Sequence, residues 1–241
     1  MIAVDSVSRS FPSGLLGRRR VTPLKDVTHV FPDGAVTYLA GLNGTGKSTL
    51  LRLMCGVLRP DAGVVEVTGP HGGATGMMLS DAAALPAHSG RRHLRWAAEA
   101  LGLPRPGAAA DRALAEAGLG GVGGSAVGGW SLGMRQRLGI ACALLGEPGN
   151  VVLDEPLNGL DVAGVLWLRG LLRELAADGR CVVVASHHLA EVEASGDHVV
   201  VLEDGRVAAA GTVAEVRGGH ASLERAFTAL VPRAASHEVR R

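Results

Sequence analysis

The densest chemistry in this sequence lies in Gly41-Leu42-Asn43-Gly44-Thr45-Gly46-Lys47-Ser48-Thr49. Two glycines bracket four residues and a Lys-Ser pair follows, which is the pattern of a phosphate-binding loop. Glycines let the backbone wrap an anion with no Cβ in the way. Successive N–H groups and a helix start then face the phosphates. Lys47 adds a full positive charge, and the Ser48 hydroxyl is a hard oxygen ligand suited to Mg²⁺. The bland alternative is a glycine-rich turn before a helix. The apolar run Val36–Ala40 before it and the helically spaced Leu50, Leu53 and Met54 after it supply the strand-loop-helix context the motif requires. The loop implies a nucleoside triphosphate and does not separate ATPases from GTPases or kinases.

Two further strand ends carry polar groups. Val151-Val152-Leu153-Asp154-Glu155 places two carboxylates after an apolar run, and Val182-Val183-Val184-Ala185-Ser186-His187-His188 places two histidines. In a parallel sheet, strand C-termini line the ligand crevice. Asp154 is placed to hold the Mg²⁺ shell through water, and Glu155 to polarise an attacking water as general base. A histidine at the third strand end can hydrogen-bond a terminal phosphate. Of the two neighbours, His187 is taken over His188. A plain strand terminus remains the alternative for each.

These groups need a sheet with strands in parallel and helices between them. The order of elements supplies it: Val36–Ala40, Val151–Leu153, Cys181–Ala185 and Val199–Leu202 read as buried strands, and Leu166–Ala177 as an amphipathic helix. Val199–Leu202 and Val207–Ala209 flank a four-residue turn and read as a hairpin. The start of the chain, with Pro32-Asp33-Gly34 as a turn, reads as short edge strands. The helix after the phosphate loop is expected to extend through Val57 and Leu58, ended by Gly56 and Pro60. Ser89–Leu119 reads as two helices broken at Pro104 and Pro106, Gly118–Gly129 as a loop, and Ser131–Leu145 as a helix.

At Ser131 the chain resembles a known family. Trp130-Ser131-Leu132-Gly133-Met134-Arg135-Gln136-Arg137, then Asp154-Glu155-Pro156 and Asn158-Gly159-Leu160-Asp161, is similar to the signature region of ABC (ATP-binding cassette) proteins. The family's usual signature is Leu-Ser-Gly-Gly-Gln. Here Ser131 and Gly133 match, while Trp130, Leu132 and Met134 depart. The Ser-Leu-Gly-Met form resembles the ATPase subunits of multidrug and antibiotic-resistance exporters. The resemblance implies a RecA-like, mostly parallel α/β sheet with an antiparallel β edge subdomain and an inserted helical subdomain. On that pattern residues 1–230 form one ATPase domain, with its core at 1–79 and 138–211 and the helical part at about 80–137. Residues 212–241 form a helical tail whose end is expected to be disordered.

The resemblance also implies roles. ATP and Mg²⁺ are the expected ligands. Ser131 and Gly133 are expected to meet the ATP of a second cassette packed head to tail, with Asp161 linking the two sites; an ordinary helix N-cap is the alternative for Ser131. Phe11 falls where an aromatic stacks on adenine, or it packs under the edge sheet. Ser80 falls where the family has a Mg²⁺-ligating glutamine, with Asp81 beside it as a possible substitute. Leu94 and Trp96 lie in the region that receives a transporter's coupling helix, though packing in the core is the reading preferred for both. Expected partners are a second cassette, identical or not, and an integral membrane permease. Ser222–Phe227 resembles the ending of exporter ATPases. The other readings are a non-transport ABC ATPase and a weakly hydrolysing regulator.

Composition narrows the field. A net charge of +1 gives no bias toward nucleic acid, and no nucleic-acid partner is expected. With 47% hydrophobic but only 3% aromatic residues, the core must be built from Ala, Val and Leu. Cys55, Cys142 and Cys181 lack metal-ligand spacing and read as buried thiols of a reducing compartment. No apolar run reaches the ~18 residues of a membrane span, and the start does not read as a signal peptide. The chain is expected in the cytoplasm, peripheral on the inner face of the cell membrane. Gly17-Arg18-Arg19-Arg20 reads as a solvated loop.

Overall fold

A computed structural model describes residues 1–13, 19–70, 73–79 and 84–231. Ser80 and Asp81, Gly17 and Arg18, and the tail end at 232–241 lie outside these described residues.

The centre is a six-stranded sheet in the order β5-β6-β7-β3-β8-β9. Its strands are β3 (Ala35–Ala40), β5 (Thr75–Met78), β6 (Asn150–Asp154), β7 (Cys181–Ser186), β8 (His198–Glu203) and β9 (Arg206–Thr212). All neighbours run parallel except β9, which returns antiparallel to β8 as a hairpin. Continuous apolar sequence is what such strands require, because both faces are covered. Alternate residues divide between two cores, as the two-residue strand period demands. Val36, Tyr38, Val151, Leu153, Val182, Val184, Val199 and Val201 face one side. There they meet helix α5 (Val162–Ala177) through Leu168, Leu172 and Leu175, and helix α8 (Leu223–Leu230) through Leu223 and Phe227. Leu39, Val152, Val183, Ala185, Val200 and Leu202 face the other side, against helix α1 (Lys47–Met54).

That second side is also covered by an antiparallel sheet of order β2-β1-β4, from β1 (Ile2–Ser13), β2 (Arg19–Phe31) and β4 (Ala62–Val67). Ile2, Val4, Val7, Leu24 and Phe31 enter the shared core. The expected short strands are instead long, 12 and 13 residues, with register shifts that bend them over the core. Arg19 and Arg20 belong to β2 rather than to a loop.

A third core is helical. Helix α2 (Gly90–Ala100) starts at Ser89, whose hydroxyl accepts from the Arg92 N–H, and helix α3 (Pro106–Glu116) opens on a proline, both favourable starts. With helix α4 (Leu132–Ala143) they enclose Leu94, Ala98, Ala110, Leu114, Trp130 and Leu138. Trp130 tucks against Gly90, where a Cβ would stand 2.3 Å from the ring, and its Nε1 donates to Ser125 Oγ at 2.8 Å. Leu94 is fully buried as expected, but Trp96 is 57% exposed and does not pack in the core.

Other boundaries shift for local reasons. α1 ends at Met54, because Gly56 turns left-handed (φ +69°) and leaves Val57 exposed. α5 begins at Val162, four residues before the expected start, because the Asp161 carboxylate caps it. Helices α6 (Leu189–Ser195) and α7 (Val213–Arg217) complete the set. Among the cysteines, all free, only Cys181 is buried; Cys55 and Cys142 are half-buried. No described helix is long and apolar enough to cross a membrane.

Candidate nucleotide site

The phosphate loop joins β3 to α1, and close neighbours force a glycine at position 46. Gly46 has φ +106°, and a Cβ there would lie 2.3 Å from the Pro23 carbonyl oxygen. Gly44 is left-handed too (φ +83°) but faces open space. The Lys47 ammonium folds back across the loop, donating to the Gly41 carbonyl at 2.6 Å and the Leu42 carbonyl at 3.2 Å. Burial lowers its pKa, opposed by the Glu155 and Asp154 carboxylates. Thr45 Oγ1 donates to the Leu42 carbonyl at 2.9 Å, which stiffens the turn.

Asn43, Gly44, Gly46, Lys47, Ser48 and Thr49 line one concavity of about 430 Å³ together with Asp154, Glu155, Asn158 and Pro23. The parallel register explains the meeting: β3 and β6 both flank β7, so their C-terminal ends lie on one edge of the sheet, a single strand apart. Asp154 is buried at the end of β6. A buried carboxylate and the Ser48 hydroxyl on one wall are hard oxygen donors, the set that suits Mg²⁺. Gly41 and Leu42 form the loop's base and do not line the concavity.

Glu155 turns out of the strand in a left-handed conformation (φ +51°), an uncommon backbone for a residue with a Cβ. Three hydrogen bonds hold it. Its N–H donates to the Ala185 carbonyl at 2.9 Å, and its carbonyl accepts from the Asn158 N–H at 3.2 Å and from Gln136 Nε2 at 2.8 Å. His187 Nδ1 lies 2.9 Å from Glu155 Oε2, and the His188 ring lies 4.1 Å from that of His187.

Ser131, Gly133 and Asp161 are not at this concavity. They line a second one of about 400 Å³, with Gly118, Met134 and Arg137. Ser131 caps α4, its hydroxyl accepting from the Met134 N–H at 3.2 Å. Asp161 caps α5 through the Gly164 N–H at 2.7 Å. Gly133 permits a close crossing, since a Cβ there would be 2.7 Å from the Gly159 carbonyl oxygen. Phe11 sits on β1 and lines neither concavity, and the Arg9 guanidinium lies 4.9 Å over its ring. Gln136, Asn158 and Pro23 were given no role from sequence. Gln136 and Asn158 stand inside quoted motifs, which was their only signal; Pro23 had none.

A parallel α/β sheet carrying a phosphate loop, with acids at the end of another strand on the same edge, defines the class of phosphate-loop nucleotide-binding proteins. A family model described as ABC transporter matches residues 24–158, and the chain belongs to that family. It is 35% identical over 211 residues to the molybdenum import ATP-binding protein ModC of Mycobacterium tuberculosis (strain CDC 1551 / Oshkosh), covering 79% of this chain and 57% of that protein. It is 35% identical over 195 residues to the daunorubicin resistance ATP-binding protein DrrA3 of Streptomyces coeruleorubidus, covering 76% of this chain and 61% of that one. The chain therefore spans little more than half the length of these relatives. A solved ATP-binding subunit of an ABC transporter superposes with a TM-score of 0.79 at 31% identity, covering 95% of this chain and 98% of that one.

Proposed function

We propose that the chain binds ATP with Mg²⁺ at the phosphate loop, hydrolyses it, and powers a membrane exporter whose permease is a separate chain. The observation that carries this reading is the convergence of Lys47, Ser48, Asp154 and Glu155 on one concavity.

Lys47 and the loop N–H groups grip the phosphates and fix the transferring group in place. Ser48 and Asp154 hold Mg²⁺, which neutralises phosphate charge when bound. Glu155 accepts the proton of the attacking water on its carboxylate. His187 orients that carboxylate through Nδ1, leaving Nε2 for a phosphate oxygen. Phe11 is the candidate surface for adenine. Ser80 remains the candidate at the glutamine position.

Two cassettes pack head to tail, so that Ser131, Gly133 and the start of α4 serve the ATP of the other chain and Asp161 connects the sites. What supports this is the separation of the two concavities, each with half of the expected contacts. The helical body around 80–137 receives the permease, and exposed Trp96 is its candidate contact. The cassette works at the inner face of the membrane through that contact. Support for export comes from the Ser131–Met134 variant and from the resistance role in DrrA3's name. The name of ModC favours a second reading, an import subunit.

The Glu155→Gln variant tests the chemistry. Its Mg²⁺-dependent ATP turnover is expected to fall about 100- to 10,000-fold. A wild type no faster than this variant refutes the ATPase reading. With ATP the same variant is expected to dimerise by light scattering. Transport in vesicles carrying the copurified permease distinguishes export from import.

A further inference from the structure

His188 has no part in the proposed hydrolysis, yet it stands beside the two residues that do. One donor atom from each of Glu155, His187 and His188 lies within 4.8 Å of the others. His187 Nδ1 and Glu155 Oε2 are already 2.9 Å apart. The two rings lie 4.1 Å apart at 36°, and both histidines are exposed, so an ion reaches them from solvent. We infer that Glu155, His187 and His188 form a binding site for a borderline divalent cation of the Zn²⁺ class, which shuts the site down when occupied.

Two imidazoles and a carboxylate form a donor set that zinc accepts, with the fourth position left to water. Tetrahedral ligands on bonds of about 2.05 Å stand about 3.3 Å apart, so the 2.9 Å His187–Glu155 pair must open by about 0.4 Å and the pairs to His188 close by at most about 1.5 Å. Exposed ring torsions can supply that. The set is nitrogen-rich where Mg²⁺ demands oxygen and an octahedron, so Mg²⁺ at Ser48 and Asp154 does not compete for it. The ion takes the position of the proton between His187 Nδ1 and Glu155 Oε2. That proton moves to Nε2 of the same ring, so neutral His187 binds without releasing it to solvent. A carboxylate bound to the ion no longer accepts a proton from water. The binding site stands on geometry alone; the inhibition rests on Glu155 as the base.

The test uses the full chain, nucleotide-free and cleared of metal by chelator. Zn²⁺ is titrated in competition with a chromogenic chelator, and Co²⁺ binding is followed by visible absorption. The wild type is expected to take one tight equivalent with a tetrahedral Co²⁺ spectrum. His188→Ala is expected to weaken Zn²⁺ binding by about tenfold or more. With Mg²⁺-ATP in excess, Zn²⁺ is expected to suppress wild-type turnover reversibly. His188→Ala should resist by a similar factor, relative to its own zinc-free rate on Mg²⁺-ATP. Zn²⁺ held equally by His188→Ala, or no tight equivalent in the wild type, overturns the site. A tight equivalent lost in His188→Ala, with no turnover of Mg²⁺-ATP by the zinc-free wild type, supports the site and refutes the ATPase reading instead.

Discussion

Gln136→Leu isolates the link between α4 and the proposed catalytic carboxylate. The substitution keeps most of the side-chain volume and deletes the 2.8 Å bond to the Glu155 carbonyl. That carbonyl also accepts from Asn158 at 3.2 Å, so it is not orphaned and the full cost of an unsatisfied buried group does not apply. A neutral hydrogen bond of this kind contributes about 0.5–1.5 kcal/mol. Because Glu155 is held left-handed, the loss falls on the orientation of its side chain. If all of it appears in the transition state, kcat drops about 2- to 13-fold. Gln136 does not line the phosphate-loop concavity, so KM for ATP should stay within about twofold. Steady-state hydrolysis gives both constants, and a thermal melt gives the structural part, about 2–4 °C per kcal/mol for a chain of this size. Gln136→Glu keeps an acceptor but loses the donor and should resemble Leu; Gln136→Asn shortens the reach and should recover at most part of the rate. A melting loss with unchanged kcat refutes the positioning argument.

Gly46→Ala should disable nucleotide binding far more than Gly44→Ala, because both are left-handed but only Gly46 meets backbone, 2.3 Å away; equal ATP affinities contradict this. Asp161→Ala should cost about 1 kcal/mol as a lost helix cap, while Asp161→Asn keeps the cap and the melting temperature. A dimerisation defect in the melt-neutral Asn variant supports the role across the interface, and none would confine Asp161 to capping. Burial pushes the Cys55 thiol up to about 12 and the Cys181 thiol up to about 11 from 9.0, so both should resist iodoacetamide near about pH 8 in the folded chain. The unfolded thiols ionise first, so stability should fall as pH rises above 9.0, which alkaline melts can follow.

The parallel sheet was readable because its strands are buried on both faces and so stay apolar without interruption, as Val182–Ala185 does. The phosphate loop was readable because only glycine fits positions such as Gly46. β5 (Thr75–Met78) was not read as a strand: four residues show no period, and pairing with β6 alone makes it one. α6 was missed because seven residues give too little helical repeat. Trp96 was misplaced because a tryptophan is ordinarily buried; Arg92, Arg95 and Glu99, at helical spacing around it, mark its side of α2 as the charged outer face. Gln136 was hidden for a different reason: its partner is a backbone carbonyl, which carries no residue type. The membership of Ser131 and Asp161 in a second concavity followed from family resemblance and not from their types, each of which is an ordinary helix cap.

Helix α4 belongs to two interiors at once. Ile140 and Ala143 pack on the sheet, while Leu138, Ala141 and Leu145 at its end pack in the helical body. Its first turn edges the second concavity, and its side chain at 136 holds the turn after β6. Such a rod cannot follow one neighbour without slipping against the other. Any tilt of the helical body is therefore paid in lost contacts on the sheet or carried along α4 to the Glu155 turn. Drift at this helix is constrained from both sides, and a compensating change for a substitution at Ile140 should appear as readily among residues touching α2 and α3 as among those of the sheet.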